Sequence, residues 1–156
     1  MIGKTAGFIL GAALAGAMAQ AAPADHYTAA QLVSEMAKLK AQAAATGSAS
    51  VKLQDYPNHF TMLAYRSKDG GAEIHNQFAD VFYIVRGKAV LMTEGSIPDA
   101  HEENPGEIRG TAVADGKKTP LGPGDVVHIP AGTPHQLLVP KGKELLYFVI
   151  KVKETQ

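Results

Sequence analysis

Three polar residues at alternate positions, Glu73, His75 and Gln77, stand in a run that otherwise reads as a strand. On a strand, residues two apart share a face, so this spacing lines up an acid, an imidazole and an amide. Glu and Gln suit a solvated outer face. Asp80 suits one less well, because it opens the strongly apolar run Val81-Phe82-Tyr83-Ile84-Val85. A second imidazole, His135, follows Pro130-Ala131-Gly132-Thr133-Pro134, a rigid turn that sets it against the end of the preceding strand. The chain has six histidines and no cysteine. Thiolate nucleophiles, thiolate zinc sites and iron–sulfur clusters are therefore excluded.

The elements that must position these residues are short strands. Phe60 to Arg66, Glu73 to Phe78, Val81 to Val85, Ala89 to Thr93, Val126 to Ile129, Gln136 to Val139 and Leu145 to Val152 are rich in β-branched and aromatic residues. Turn signals separate them: Asp69-Gly70-Gly71, Arg86-Gly87-Lys88, Gly122-Pro123-Gly124 and Pro140-Lys141-Gly142. Many short strands with turns between them predict an antiparallel sandwich or barrel. Residues 95–124 are less regular and read as a long loop around one short strand, Ile108 to Val113. Before the strands, Thr28 to Ala45 reads as a helix. Thr28 and Gln31 have capping-box spacing, and Leu32, Met36, Leu39 and Ala43 form one apolar stripe. That stripe suits packing on the outside of the barrel or on a second subunit. Thr46 to Ser50 reads as a linker.

Gly124, Pro130, Gly132 and His135 follow the spacing Gly, five residues, Pro-x-Gly, two residues, His. Asp80 and Gly87 bracket the apolar run between them. In these residues the chain resembles the cupin superfamily over residues 58–151, with Val139 where the family pattern has Asn. The resemblance implies an all-β fold, a cupin-type jelly-roll β-barrel with one N-terminal α-helix. It also implies a metal site. The family's first motif supplies a His-x-His pair and then a Glu. With a four-residue spacer the pair falls on Glu73 and His75, and the Glu falls on Asp80. Starting from His75 places Gln77 second and leaves the spacer one residue short. Under both alignments His75, Asp80 and His135 hold ligand positions, and the fourth ligand is Glu73 or Gln77. Two imidazoles and a carboxylate form a facial set suited to iron(II), with open positions for substrate or oxygen. The same set accepts manganese, zinc, nickel or copper, so the implied cofactor is a divalent transition metal. Asp80 is one methylene shorter than Glu, and its alternative role is to orient a ligand from behind.

Other residues offer less. Arg109 either points inward to grip a substrate carboxylate or pairs outward with Glu107. Tyr65 and Phe82 are expected as core or pocket wall and enter as candidate substrate-binding residues, as does Arg109. His128 is expected on the face opposite Val127 and Ile129.

The chain is long enough for one domain with a real core. Its 15 basic and 15 acidic residues balance, which argues against nucleic-acid binding and electrostatic membrane attachment. Residues 1–21 carry Lys4, an apolar run from Ala6 to Ala19 and small residues at Ala17, Ala19 and Ala21, the marks of a cleaved signal peptide. The expected division is a signal peptide over 1–21, a helix and linker over 22–50 and a barrel over 51–156. The expectation is a secreted or periplasmic metal-binding cupin acting on a small organic molecule as a dioxygenase, isomerase or lyase. A non-catalytic module binding a small-molecule ligand without a metal is the alternative. The resemblance further implies a homodimer, with no membrane association once the signal is removed.

Overall fold

The computed structural model describes residues 23–154, so the expected signal peptide lies outside the described residues. The chain opens with two short helices, α1 (Ala29–Ser34) and α2 (Met36–Gln42). Eleven strands follow: β1 (Ser48–Asp55), β2 (His59–Arg66), β3 (Ala72–His75), β4 (Phe78–Gly87), β5 (Ala89–Thr93), β6 (His101–Asn104), β7 (Glu107–Gly110), β8 (Lys117–Leu121), β9 (Val126–Ile129), β10 (His135–Leu138) and β11 (Leu145–Lys153). They form two antiparallel sheets, one ordered β1-β2-β11-β4-β9 and the other β6-β7-β3-β10-β5-β8. The two sheets face each other as the halves of a cupin-type jelly roll. Among the described residues no helix is long and apolar enough to cross a membrane.

The inner faces follow from strand alternation. On β11, Leu145, Tyr147 and Val149 point inward, where they join Ala64, Phe82, Ile84, Leu91, Ile129 and Leu137 in the barrel core. The intervening Leu146 points outward and packs with Leu63 and Tyr65 of β2 beneath Leu32, Leu39 and Ala43 of the helices. The expected apolar helix stripe therefore covers the outer face of the first sheet. The capping box is present: Gln31 N–H donates to the Thr28 hydroxyl (3.2 Å) and Thr28 N–H donates to the Gln31 side chain (2.8 Å). The helix is interrupted at Glu35, which ends α1 and begins α2, so one expected helix is two.

Three strands escape the sequence reading. The presumed linker at 46–50 is already strand from Ser48, and β6 and β8 lie inside the stretch read as loop. All three lie at sheet edges; β6 and β8 carry His, Glu, Asn, Lys and Thr in place of apolar alternation, whereas β1 does alternate, through Ala49, Val51 and Leu53.

Two glycines of the motif have conformational reasons. Gly87 adopts φ 93°, and a Cβ there would sit 1.9 Å from the Glu144 carbonyl oxygen. Gly132 adopts φ 75° in the turn before His135, a conformation that L side chains rarely take.

Candidate metal centre

Strand pairing assembles the site. His75 closes β3 and His135 opens β10, and the two strands pair through His135 opposite Glu73. The Pro-Ala-Gly-Thr-Pro turn is pinned to the first of these strands by Gly132 N–H donating to the His75 carbonyl (2.9 Å). The imidazole rings stand 5.2 Å apart, centroid to centroid, and both side chains are buried. Ligand atoms of Glu73, His75 and His135 all lie within 4.8 Å of one another.

The hydrogen bonds fix which ring nitrogens face inward. Nδ1 of His75 lies 2.6 Å from Glu107 Oε2, and Nδ1 of His135 lies 2.9 Å from the Thr133 carbonyl oxygen. Both partners only accept, so each Nδ1 is the protonated nitrogen. In a neutral imidazole the Nε2 lone pair then points the other way. Nε2 of His75 lies 3.2 Å from Glu73 Oε2 and 3.6 Å from Asp80 Oδ2, and Nε2 of His135 lies 3.6 Å from the same Asp80 oxygen. His75 Nε2 is a buried polar atom with no hydrogen-bond partner. Two imidazole lone pairs thus converge with carboxylate oxygens and with no hydrogen between them. Such a cluster is held together by a cation or by an extra proton on an imidazole. Burial holds the His135 pKa below its ordinary value despite the Thr133 carbonyl and nearby carboxylates, which keeps that ring neutral at pH 7. Burial would raise the Glu73 carboxyl, but the adjoining histidines and the Arg109 charge bring it down to about 2, so Glu73 is ionised. Two inward-facing imidazole nitrogens and an ionised carboxylate are a donor set that fits a divalent transition metal.

The neighbouring strand β7 braces this set. Arg109 stands opposite Glu73, and Glu107 opposite His75. The Arg109 guanidinium contacts Glu73 (3.3 Å), Glu107 (3.2 Å) and Glu103 (3.2 Å). The expected pairing with Glu107 is present and extends to two further carboxylates, and Arg109 also lines the cavity beside the cluster.

Asp80 reaches the site from the opposite sheet and is 2% exposed. Its carboxylate is held by Lys151, whose Nζ lies 2.7 Å from Oδ1 and 2.9 Å from Oδ2. Asp80 therefore faces the Nε2 atoms of both imidazoles with its charge already matched. Gln77 is not brought to the cluster. Strand β3 ends at His75, so the alternation that would align Gln77 with it breaks in the bend at 76–77, where Gln77 is exposed against Gly106. Of the two residues considered for the fourth position, Glu73 is the one in place.

The remaining expectations divide. Phe82 is inside the barrel, 5.2 Å edge-to-face from Tyr147, and lines a cavity of about 500 Å3 that also reaches His75, Glu73, Asp80, Arg66, Tyr147 and Lys151. The Tyr65 side chain is turned away from the barrel core. It packs under the helices and donates its hydroxyl to Glu144 (3.0 Å), because odd-numbered residues of β2 face outward at that point. The Tyr65 side chain is thus packed in the helix layer, while the residue also borders the cavity. His128 is exposed, as its alternation with Ile129 implies. Arg66, Tyr147 and Lys151 were not anticipated. Lys151 had a signal: it continues the inward series Tyr147, Val149, Lys151, and so places a charge inside the barrel.

Fold and site together define a cupin-type jelly roll with a His/His/Glu cluster in its interior. A cupin domain profile matches residues 105–151, which takes in His135 and Lys151 but not Glu73 or His75. Among solved structures, the polyketide cyclase RemF from Streptomyces resistomycificus is 19% identical, with a TM-score of 0.51 over 70% of this chain and 67% of that one. The DMSP lyase DddQ from Ruegeria pomeroyi DSS-3 is 17% identical with a TM-score of 0.51, over 70% of this chain and 48% of the lyase. KdgF from Halomonas sp. is 16% identical with a TM-score of 0.50, over 70% of this chain and 83% of that one. At these identities the likeness is one of fold, and the aligned part spans about half of the lyase. None of the curated proteins matches the chain.

Proposed function

We propose that this protein is a metal-binding cupin that acts on a small organic molecule. The observation that carries the reading is the orientation of the two imidazoles. Each Nδ1 is committed as a donor, and each Nε2 lone pair is aimed at the acidic side chains between the sheets. His75, His135 and Glu73 would hold the ion, and Asp80, facing the same two Nε2 atoms, would stand next to it with Lys151 as its partner. A divalent ion held there would polarise a substrate oxygen or activate oxygen at its open positions. The chain's own residues do the rest. Glu107 and the Thr133 carbonyl fix the tautomers and ring orientations, Arg109 holds Glu73 ionised, and the Phe82–Tyr147 wall excludes water from one side of the cavity. A cavity of about 500 Å3 is of the size that takes a small organic ligand. Two of the similar structures are named as a cyclase and a lyase, which agrees with small-molecule chemistry on this fold and leaves the reaction among dioxygenase, isomerase and lyase.

The test is a competition titration with zinc or cobalt on the purified chain. One ion per chain is expected, and the double variant His75→Ala, His135→Ala should bind none; retained stoichiometric binding in that variant would place the ion elsewhere.

A second reading has one observation of its own. Lys151 already neutralises Asp80, and arginine neutralises Glu73 and Glu107. A barrel so balanced is also consistent with a binding module that holds an organic ligand without a metal, and ligand binding retained by the double histidine variant would favour it. Export of the chain and pairing into a homodimer complete the proposal. They rest on residues 1–21 and on the cupin resemblance, and are read by N-terminal sequencing of protein recovered outside the cytoplasm and by sedimentation mass.

A further inference from the structure

Three carboxylates border the site, and each has a cation before any ligand arrives: Asp80 has Lys151, Glu107 has Arg109, and Glu73 has Arg109 at 3.3 Å with Arg66 at 3.6 Å. Arg66, Arg109 and Lys151 match these three carboxylates, and the exposed Glu103 adds a fourth at Arg109. A divalent ion on His75, His135 and Glu73 would therefore leave positive charge uncompensated in a largely buried space. Uncompensated buried charge is costly and draws in a counter-charge.

The wall facing the His/His/Glu cluster offers groups to receive one. Arg66, Tyr147 and Lys151 all project from the first sheet into the same cavity. The Tyr147 hydroxyl accepts from Arg66 Nε (3.1 Å) and makes no second hydrogen bond among the described residues, which leaves its own hydrogen to donate. Burial raises the Tyr147 pKa, so the hydroxyl keeps that hydrogen at neutral pH. Lys151 donates one hydrogen bond to Asp80 Oδ2, lies 2.7 Å from Oδ1 as an ion pair, and has its 14% exposure toward the cavity, so donors remain for a ligand.

Resting on the metal reading above, we propose that the cavity takes a small organic carboxylate, held between the ion on one sheet and the Tyr147–Lys151 wall of the other. The excess charge selects an anion over a neutral isostere, and the two donors orient it.

The test is calorimetric titration of zinc-loaded full chain with succinate and with succinamide, its uncharged counterpart. Succinate is expected to bind at least tenfold more tightly. Lys151→Met and Tyr147→Phe should each weaken succinate several-fold with zinc stoichiometry retained. The comparison of the two ligands on the wild-type chain needs no variant to fold. Equal affinity for succinate and succinamide, or no succinate binding to zinc-loaded protein, overturns the anion inference and leaves the metal reading standing. Failure of the chain to bind zinc overturns the metal reading and this inference with it.

Discussion

Asp80 on β4 and Lys151 on β11 are direct cross-strand partners, and the lysine Nζ lies within 3 Å of both carboxylate oxygens, at 2.7 and 2.9 Å. A full ion pair thus stands inside the barrel, one side chain away from both imidazoles. Breaking such a pair costs more than the pair itself contributes, because the remaining charge is left buried. Lys151→Met should destabilise the metal-free protein by about 3–5 kcal/mol. The double variant Lys151→Met, Asp80→Asn should recover most of that loss. Urea unfolding of the three proteins checks it, and additive losses in the double variant would show that the two side chains act independently.

The helix layer should be separable from the site. Leu39 is 1% exposed and packs over Leu63, Tyr65 and Leu146, on the opposite face of the sheet from Tyr147 and Asp80. Leu39→Ala should cost about 2–5 kcal/mol of stability. The metal content of the folded variant should be unchanged, as read by elemental analysis alongside the unfolding curve.

The link between the helices and the β10–β11 turn predicts a pH dependence. Glu144 bonds Lys40 of α2 and accepts from the Tyr65 hydroxyl. The Lys40 hydrogen bond lowers the Glu144 pKa, and the Glu144 hydrogen bond raises that of Lys40. A depressed carboxyl pKa gives stability that is present above the unfolded value near 4.5 and is lost as pH falls through the lower folded value. A raised lysine pKa gives stability that is present below 10.5 and is lost above it. Wild type should therefore exceed Glu144→Gln in unfolding midpoint between those limits. The gap should close in acid and in strong alkali; an unchanged gap at pH 3 would remove Glu144 as its source.

Much of this architecture is legible in the residues, and the exceptions have physical causes. Strands β5 and β9 are read with their observed bounds because apolar and β-branched residues, interrupted only by His128 in β9, run between glycine and proline turns. His135 is legible because the proline turn that positions it has its own spacing. Glu73 and Gln77 could not be told apart, since alternation gives both the same face and nothing in the sequence says that β3 ends at His75. Tyr65 is buried as expected, but which layer its ring joins was not legible, because an aromatic residue on a strand between two layers is buried on either face, and only the register of β2 against β11 tells which. Arg66 and Tyr147 meet across that same pairing, which no local pattern reveals.

Elemental mass spectrometry of the protein purified natively, without added metal or chelator, tests most directly whether His75, His135 and Glu73 hold a metal ion. About one transition-metal ion per chain is expected, lost in His75→Ala, His135→Ala and weakened in Glu73→Gln. Protein that is metal-free when recovered from metal-replete cells, or metal that persists in the double histidine variant, would contradict that assignment.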